Sequence, residues 1–172
     1  MDESGFYLLP AIVRTYAPRG QTPILRVTKT RDHLSAMSAI TPEGALFSWI
    51  RPTALRATDS IRFLEHVHRQ LDRKLLVIWD GSPSHRAKTL KAYLADGAAK
   101  YIHLEPLPAY APDLNPDEGV WKHLKHVELR NLCCASLSYL NQQLDHAIVR
   151  LRRRPQLIQS FFAGAHLPIH PV

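Results

Sequence analysis

Apolar and polar positions along the 172-residue chain change rhythm several times, and each change predicts an element. Near the start, Pro18-Arg19-Gly20 marks a turn between two short extended pieces. His33–Ile40 and Ala45–Arg51 read as strands, with Thr41-Pro42-Glu43-Gly44 as the hairpin connection. From Thr58 to Asp72 the period becomes helical, and Ile61, Leu64, Val67, His68 and Leu71 fall on one face. Leu75-Leu76-Val77-Ile78-Trp79 is an unbroken apolar run ending at Asp80-Gly81. Such a run between helices predicts a central strand, buried on both faces and hydrogen-bonded on both sides. Ser82-Pro83-Ser84 supplies helix-start chemistry for a helix over Arg86–Ala95, and Tyr101–Leu104 is another short strand. Pro106, Pro108, Pro112 and Pro116 impose an extended loop. Asn115 as N-cap and Pro116 at the first helical position start a helix running to about Leu129, with Val120, Leu124 and Val127 on its core face. A last helix, Leu137–Arg153, buries Leu140, Leu144, Ile148 and Leu151. The order predicts an α/β protein: a mixed sheet flanked by helices.

Composition narrows the function classes. Apolar residues make up 45% and charged residues 22%, a globular balance. The length suits one domain, with no linker or repeat dividing it. No apolar run approaches the roughly 18 residues of a membrane-spanning helix, and no membrane partner is expected. Met1-Asp2-Glu3-Ser4 offers neither the basic region nor the long apolar stretch of a signal peptide. Cys133 and Cys134 are the whole thiol inventory, too few for a disulfide framework or a four-ligand zinc site, and read as buried thiols in a reducing, cytoplasmic setting. Lys and Arg number 22 against 15 Asp and Glu, a net charge of +7 that suits a polyanionic partner such as nucleic acid.

Three carboxylates sit at element ends: Asp2 at the start of the chain, Asp80 after the apolar strand, and Glu118 in the first turn of the later helix. The carboxyl edge of such a sheet is where α/β proteins place ligands. Acids gathered there repel one another unless a hard, oxygen-preferring cation neutralises them. Each also has a plain structural role: Asp80-Gly81 as a turn, Glu118 completing a capping box with Asn115, and Asp2 as a frayed end. Glu118 projects away from the core face, beside Trp121, Lys122 and Lys125. Trp121 reads as packing, Asp113 and Asp117 as loop and helix-start residues, and Glu3 as solvent-facing. Arg150, Arg152, Arg153 and Arg154 suit phosphate contacts and helix C-terminal stabilisation equally.

Several segments then combine into a family pattern: Asp2-Glu3-Ser4-Gly5-Phe6; Tyr16-Ala17-Pro18-Arg19-Gly20-Gln21; Trp79-Asp80-Gly81-Ser82-Pro83-Ser84-His85; and, most specifically, Pro108-Ala109-Tyr110-Ala111-Pro112-Asp113-Leu114-Asn115-Pro116-Asp117-Glu118-Gly119-Val120-Trp121. In this order they resemble the IS630-type DDE transposases of the Tc1/mariner group, over nearly the whole chain. The resemblance implies a ribonuclease-H-like, retroviral-integrase fold with a catalytic and metal-binding triad of Asp2, Asp80 and Glu118. Thirty-seven residues separate the last two. It further implies two magnesium or manganese ions and double-stranded DNA, both transposon ends and target, as substrate. DNA cleavage and strand transfer at TA dinucleotides would move an insertion sequence, in a bacterial cytoplasm, with a homodimer as the assembly. Arg19, Lys122, Lys125, Arg152 and Arg153 are the expected DNA contacts, and His85 and Asn115 the supporting residues. The alternatives are a non-catalytic basic DNA-binding remnant of a split transposase, or a ribonuclease-H-like nuclease. The family places a helix-turn-helix region ahead of this domain. Here only Met1 precedes Asp2, so the expectation is a catalytic domain over 1–172 without that region. Its first strand is expected to be largely missing, leaving Asp2 on a flexible terminus.

Overall fold

The computed structural model describes residues 1–27, 30–80, 87–108 and 111–167. Three strands, β1 (Asp2–Tyr7), β2 (His33–Ile40) and β3 (Leu46–Arg51), form an antiparallel sheet in that order. Helix α1 (Ala57–Leu71) leads to β4 (Leu75–Trp79), α2 (Lys88–Ala95) and β5 (Ile102–Pro106). β4 and β5 pair in parallel, as a strand–helix–strand crossover requires. Helix α3 (Pro116–His123) continues through a π turn at Leu124–Glu128, and α4 (Leu137–Arg152) and α5 (Pro155–Gly164) finish the described chain.

The first sheet is apolar on both faces, so each must be covered. Phe6, Leu34, Ala36 and Leu46 pack against α3, α4 and α5, where Leu144, Leu151 and Ile158 are fully buried. Met37, on the opposite face, joins a second core with Phe63 and Leu64 of α1, Leu90 of α2, and Trp79 and Ile102 of the second sheet. The result is helices on both sides of strands, as the sequence predicts. Within the predicted last helix, Leu140, Leu144, Ile148 and Leu151 are all buried.

Four expectations need correction. The strand carrying Asp2 is not largely absent: six residues, Asp2 to Tyr7, pair along β2. Asp2 is not on a flexible end either, because the Met1 side chain enters the second core and its amino group donates to Ile78 O at 2.9 Å. β4 is not buried on both faces: Leu76 is 66% exposed and Ile78 36%. Among the described residues it ladders with β5 alone, and it meets the first sheet through the Met1–Ile78 bond and the packing of Trp79 with Met37 in the second core. Val127 is 53% exposed rather than on a core face. The π turn, closed by Leu129 N to Leu124 O at 2.9 Å, inserts one residue per turn and rotates Val127 outward. Helix α5 and the 3₁₀ turn Pro112–Leu114 were not expected. Pro155 and Pro112 stand in first-turn positions, where a missing N–H costs nothing.

Candidate active site

The site is built on the start of α3. The Asn115 side chain accepts from Asp117 N at 3.2 Å and Pro116 follows at the first helical position, the cap chemistry read from sequence. This puts Asp117 and Glu118 side by side in the first turn, about 100° apart around the helix. Glu118 is exposed. Asp117 turns toward the sheet and is 1% exposed. Its Oδ1 accepts from the Ser38 hydroxyl, and its Oδ2 lies 2.9 Å from the Met1 amino group. One turn later Trp121 donates Nε1–H to Asp2 Oδ2 at 3.0 Å. Another turn on, Lys125 donates Nζ–H to Ser4 Oγ at 2.7 Å and sits 5.2 Å over the Phe6 ring. Successive turns of the α3 helix therefore touch Ser38, Asp2 and Ser4.

Burial pushes the Asp2 carboxyl up from 3.8 to about 6. The negative charges of Asp117 and Glu118 raise it further, while hydrogen bonds from Glu3 N–H and Trp121 pull it down. Burial also lowers the Lys125 ammonium, opposed by attraction to Glu118 and Asp2. The folded pKa of Asp2 exceeds the unfolded one, so between pH 4 and 6 the folded state holds more protons and stability falls as pH rises. In EDTA the chain is therefore expected to lose roughly 2 kcal/mol between pH 4 and 7 relative to Asp2→Asn. Urea denaturation of the two proteins at both pH values checks this, and parallel pH profiles would refute it.

Asp80 follows the last residue of β4 and is half-buried. Among the described residues no three of His, Cys, Asp and Glu are grouped closely enough to hold a metal ion. The structure thus brings Asp2 and Glu118 into one electrostatic neighbourhood, with Asp117 beside them, and does not gather Asp80 into it. Asp80 approaches through backbone: Met1 N bonds Ile78 O, one residue before Asp2 and two before Asp80.

The other expected residues scatter. Lys122 and Lys125 line a cleft of about 670 Å³ with Glu118, His126 and Phe161, between α3 and α5. Gly119 permits this closeness, since a Cβ there would lie 2.6 Å from Phe161 Cγ. Of the arginines expected on phosphates, Arg152 is held by β3, bonding Leu46 O at 3.0 Å and Ser48 Oγ at 2.9 Å. Arg150 is 2.7 Å from Glu128, whereas Arg153 is exposed. Arg19 lies in an exposed turn closed by Gln21 N to Pro18 O. His85 lies outside the described residues. Cys134 is buried and Cys133 half-buried. Glu3 is half-buried rather than solvent-facing, on the strand face opposite Asp2.

Sequence reasoning missed the roles of Asp117, Ser38 and Trp121. Asp117 read as helix-start chemistry, which it also performs. Its burial depends on Ser38, seventy-nine positions away, and no local pattern encodes that. Trp121 carried one usable signal: it lies three residues after Glu118 and four after Asp117, one helical turn from both.

The family described as DDE superfamily endonuclease matches residues 1–138. No curated protein matches the chain. Similar solved structures include the mariner Mos1 paired end complex with Mg, at 19% identity and TM-score 0.70 over 97% of this chain and 51% of that one. The Mos1 strand transfer complex is similar at 19% identity and TM-score 0.64 over 98% and 54%. The catalytic domain of Mos1 mariner transposase is similar at 14% identity and TM-score 0.56 over 98% and 83%. What is shared at these identities is the ribonuclease-H-like fold. The chain spans about half the length of the proteins in the two complexes.

Proposed function

We propose that this chain, which belongs to the DDE superfamily of endonucleases, is the catalytic domain of an IS630-type transposase that cuts DNA and transfers the cut strand. The observation that supports this most is that Asp2 and Glu118, far apart in sequence, come close enough for the Glu118 charge to act on Asp2, whose carboxylate also accepts from Trp121 one turn beyond Glu118. Their carboxylates, with Asp80, form an all-oxygen donor set, and the mutual repulsion felt by Asp2 fits a hard dication. Asp2, Asp80 and Glu118 are the residues that would hold two magnesium or manganese ions. When bound, such ions lower the pKa of an attacking water or hydroxyl and neutralise charge on a phosphodiester.

The chain's own residues do the rest. Asp2 is held in place by Trp121 and by Glu3 N–H. Glu118 stands at the positive end of the helix and opens to the cleft. Lys122 and Lys125 lay the DNA backbone along that cleft, and the exposed Arg19 and Arg153 contact phosphates beyond it. Water attacks the phosphorus at an element end and the 3′-oxygen leaves. The freed 3′-hydroxyl then attacks a phosphorus of target DNA and displaces the target's own 3′-oxygen, which leaves as a hydroxyl, at TA dinucleotides by family resemblance. The similar structures are named as paired-end and strand-transfer complexes. DNA partners and pairing of two copies belong to the same proposal.

One observation favours a second reading, a basic DNA-binding domain that does not cut: among the described residues no three potential ligands are grouped so that they could hold a metal ion. Supercoiled plasmid incubated with the chain separates the two. Nicking with magnesium or manganese, abolished by EDTA, is expected. Salt-sensitive binding with no nicking under either metal would establish the second reading instead. Cutting of an RNA–DNA hybrid in preference to duplex DNA would turn the assignment to a ribonuclease-H-like nuclease.

A further inference from the structure

Two polar bonds tie neighbouring turns of α3 to a single cross-strand pair. Asp2 and Ser38 stand opposite each other in the β1–β2 ladder. Asp117 accepts from Ser38, and Trp121, four residues on, donates its indole N–H to Asp2 Oδ2 at 3.0 Å. Residues four apart lie one above the other on a helix, and facing strand residues lie about 5 Å apart. The two spacings match, so both bonds form together at one height and rotation of α3 over the sheet.

We infer that Trp121 is a positioning residue: its N–H, in register with the Asp117–Ser38 bond, works with the Glu3 N–H to fix the rotation of the Asp2 carboxylate, whose remaining lone pairs serve a divalent cation. This rests on the DDE assignment above. The indole nitrogen is a donor only, so it cannot compete for the cation. The ring is 3% exposed and held edge-on to Phe6, with centroids 5.9 Å apart at 70°. Phe6 lies on the same face of β1 as Asp2, so one strand face holds both the ring and the acceptor of its N–H. A buried tryptophan commonly finds a partner for that group. Here the partner is the family's first acid, not a spare backbone carbonyl. Groups that orient metal ligands in this way typically change metal affinity 10- to 100-fold when removed.

The test uses the chain 1–172. Trp121→Phe keeps an aromatic ring against Phe6 and removes the N–H. Mn²⁺ binding followed by the electron-spin resonance of free Mn²⁺ is expected to weaken about ten-fold, while Trp49→Phe leaves it unchanged. A second measurement needs no variant to fold. In the ¹⁵N-labelled parent, the Trp121 indole N–H resonance is expected to move along the Mg²⁺ binding curve while that of Trp49 stays still. Unchanged Mn²⁺ affinity in a folded Trp121→Phe protein, or a Trp121 resonance indifferent to bound Mg²⁺, would overturn the positioning role and leave the DDE assignment standing. A parent chain that binds neither cation would overturn that assignment, and this inference with it.

Discussion

Glu118→Gln is expected to abolish metal-dependent cutting while leaving the protein folded and still bound to DNA. Glu118 is exposed at the head of α3, so the amide replaces the carboxylate without burying an unpaired group. The stability cost is the weakened interaction with the helix N-terminus, about 0.3–1 kcal/mol. The cost in rate is of another order. On the proposed triad, one of three oxygen donors becomes a neutral amide, and removing a member of a catalytic unit lowers turnover on the order of a thousand-fold or more. Asp80→Asn is expected to behave alike. Plasmid nicking and gel-shift binding, run beside a thermal melt, read both effects at once. A Glu118→Gln protein that nicks at the parent's rate would remove Glu118 from the triad.

The largest single stability loss is expected at Gly44. It closes the β2–β3 hairpin at φ +89°, a conformation that L side chains rarely adopt, and its N–H bonds Thr41 O at 2.9 Å. An added Cβ would also lie 2.6 Å from Pro155 O and 2.8 Å from Pro155 Cα, where α5 begins. Backbone strain of about 1–3 kcal/mol and overpacking of a similar size act together in Gly44→Ala. The sum, about 2–6 kcal/mol, corresponds to a fall in melting temperature on the order of 4–24 °C for a chain of this length. Gly20→Ala is the control: its φ is +82°, but nothing lies within 4 Å of the added carbon. It carries the strain without the collision, so it should cost distinctly less. Equal melting temperatures for the two variants would show that the hairpin and α5 are not in fixed contact.

The elements governed by local periodicity were legible in sequence. Alternation gave β2 and β3, the 3.6-residue repeat gave α1 and α4, and Asn115-Pro116 gave the start of α3 to the residue. The failures share a cause: each depends on what the segment meets in space. An apolar run reads the same whether a strand has one laddered neighbour or two, so the open side of β4 was invisible. Val127 obeys helical spacing until a π turn shifts the phase, and no residue pattern announced that turn. Asp2 and Glu118 stood out as acids at element ends, and the family pattern supplied their role as a triad with Asp80. That they approach each other follows from Trp121 and Asp117, whose partners lie on distant strands.

The link between the two sheets has a thermodynamic consequence. Asp2 and Glu118 ride on the β1–β2–β3 body, while Asp80 rides on β4 of the other sheet, which meets the first through the second apolar core and the backbone bond from Met1 to Ile78. On the proposed triad, cation affinity is then the product of an intrinsic constant and the fraction of molecules in which β4 stands closed against β1. A chain closed one time in ten binds about ten times more weakly than one held shut. By the same linkage, every bound cation draws the population toward the closed arrangement. Anything that lengthens the contact between β1 and β4 would tighten cation binding without touching a single carboxylate.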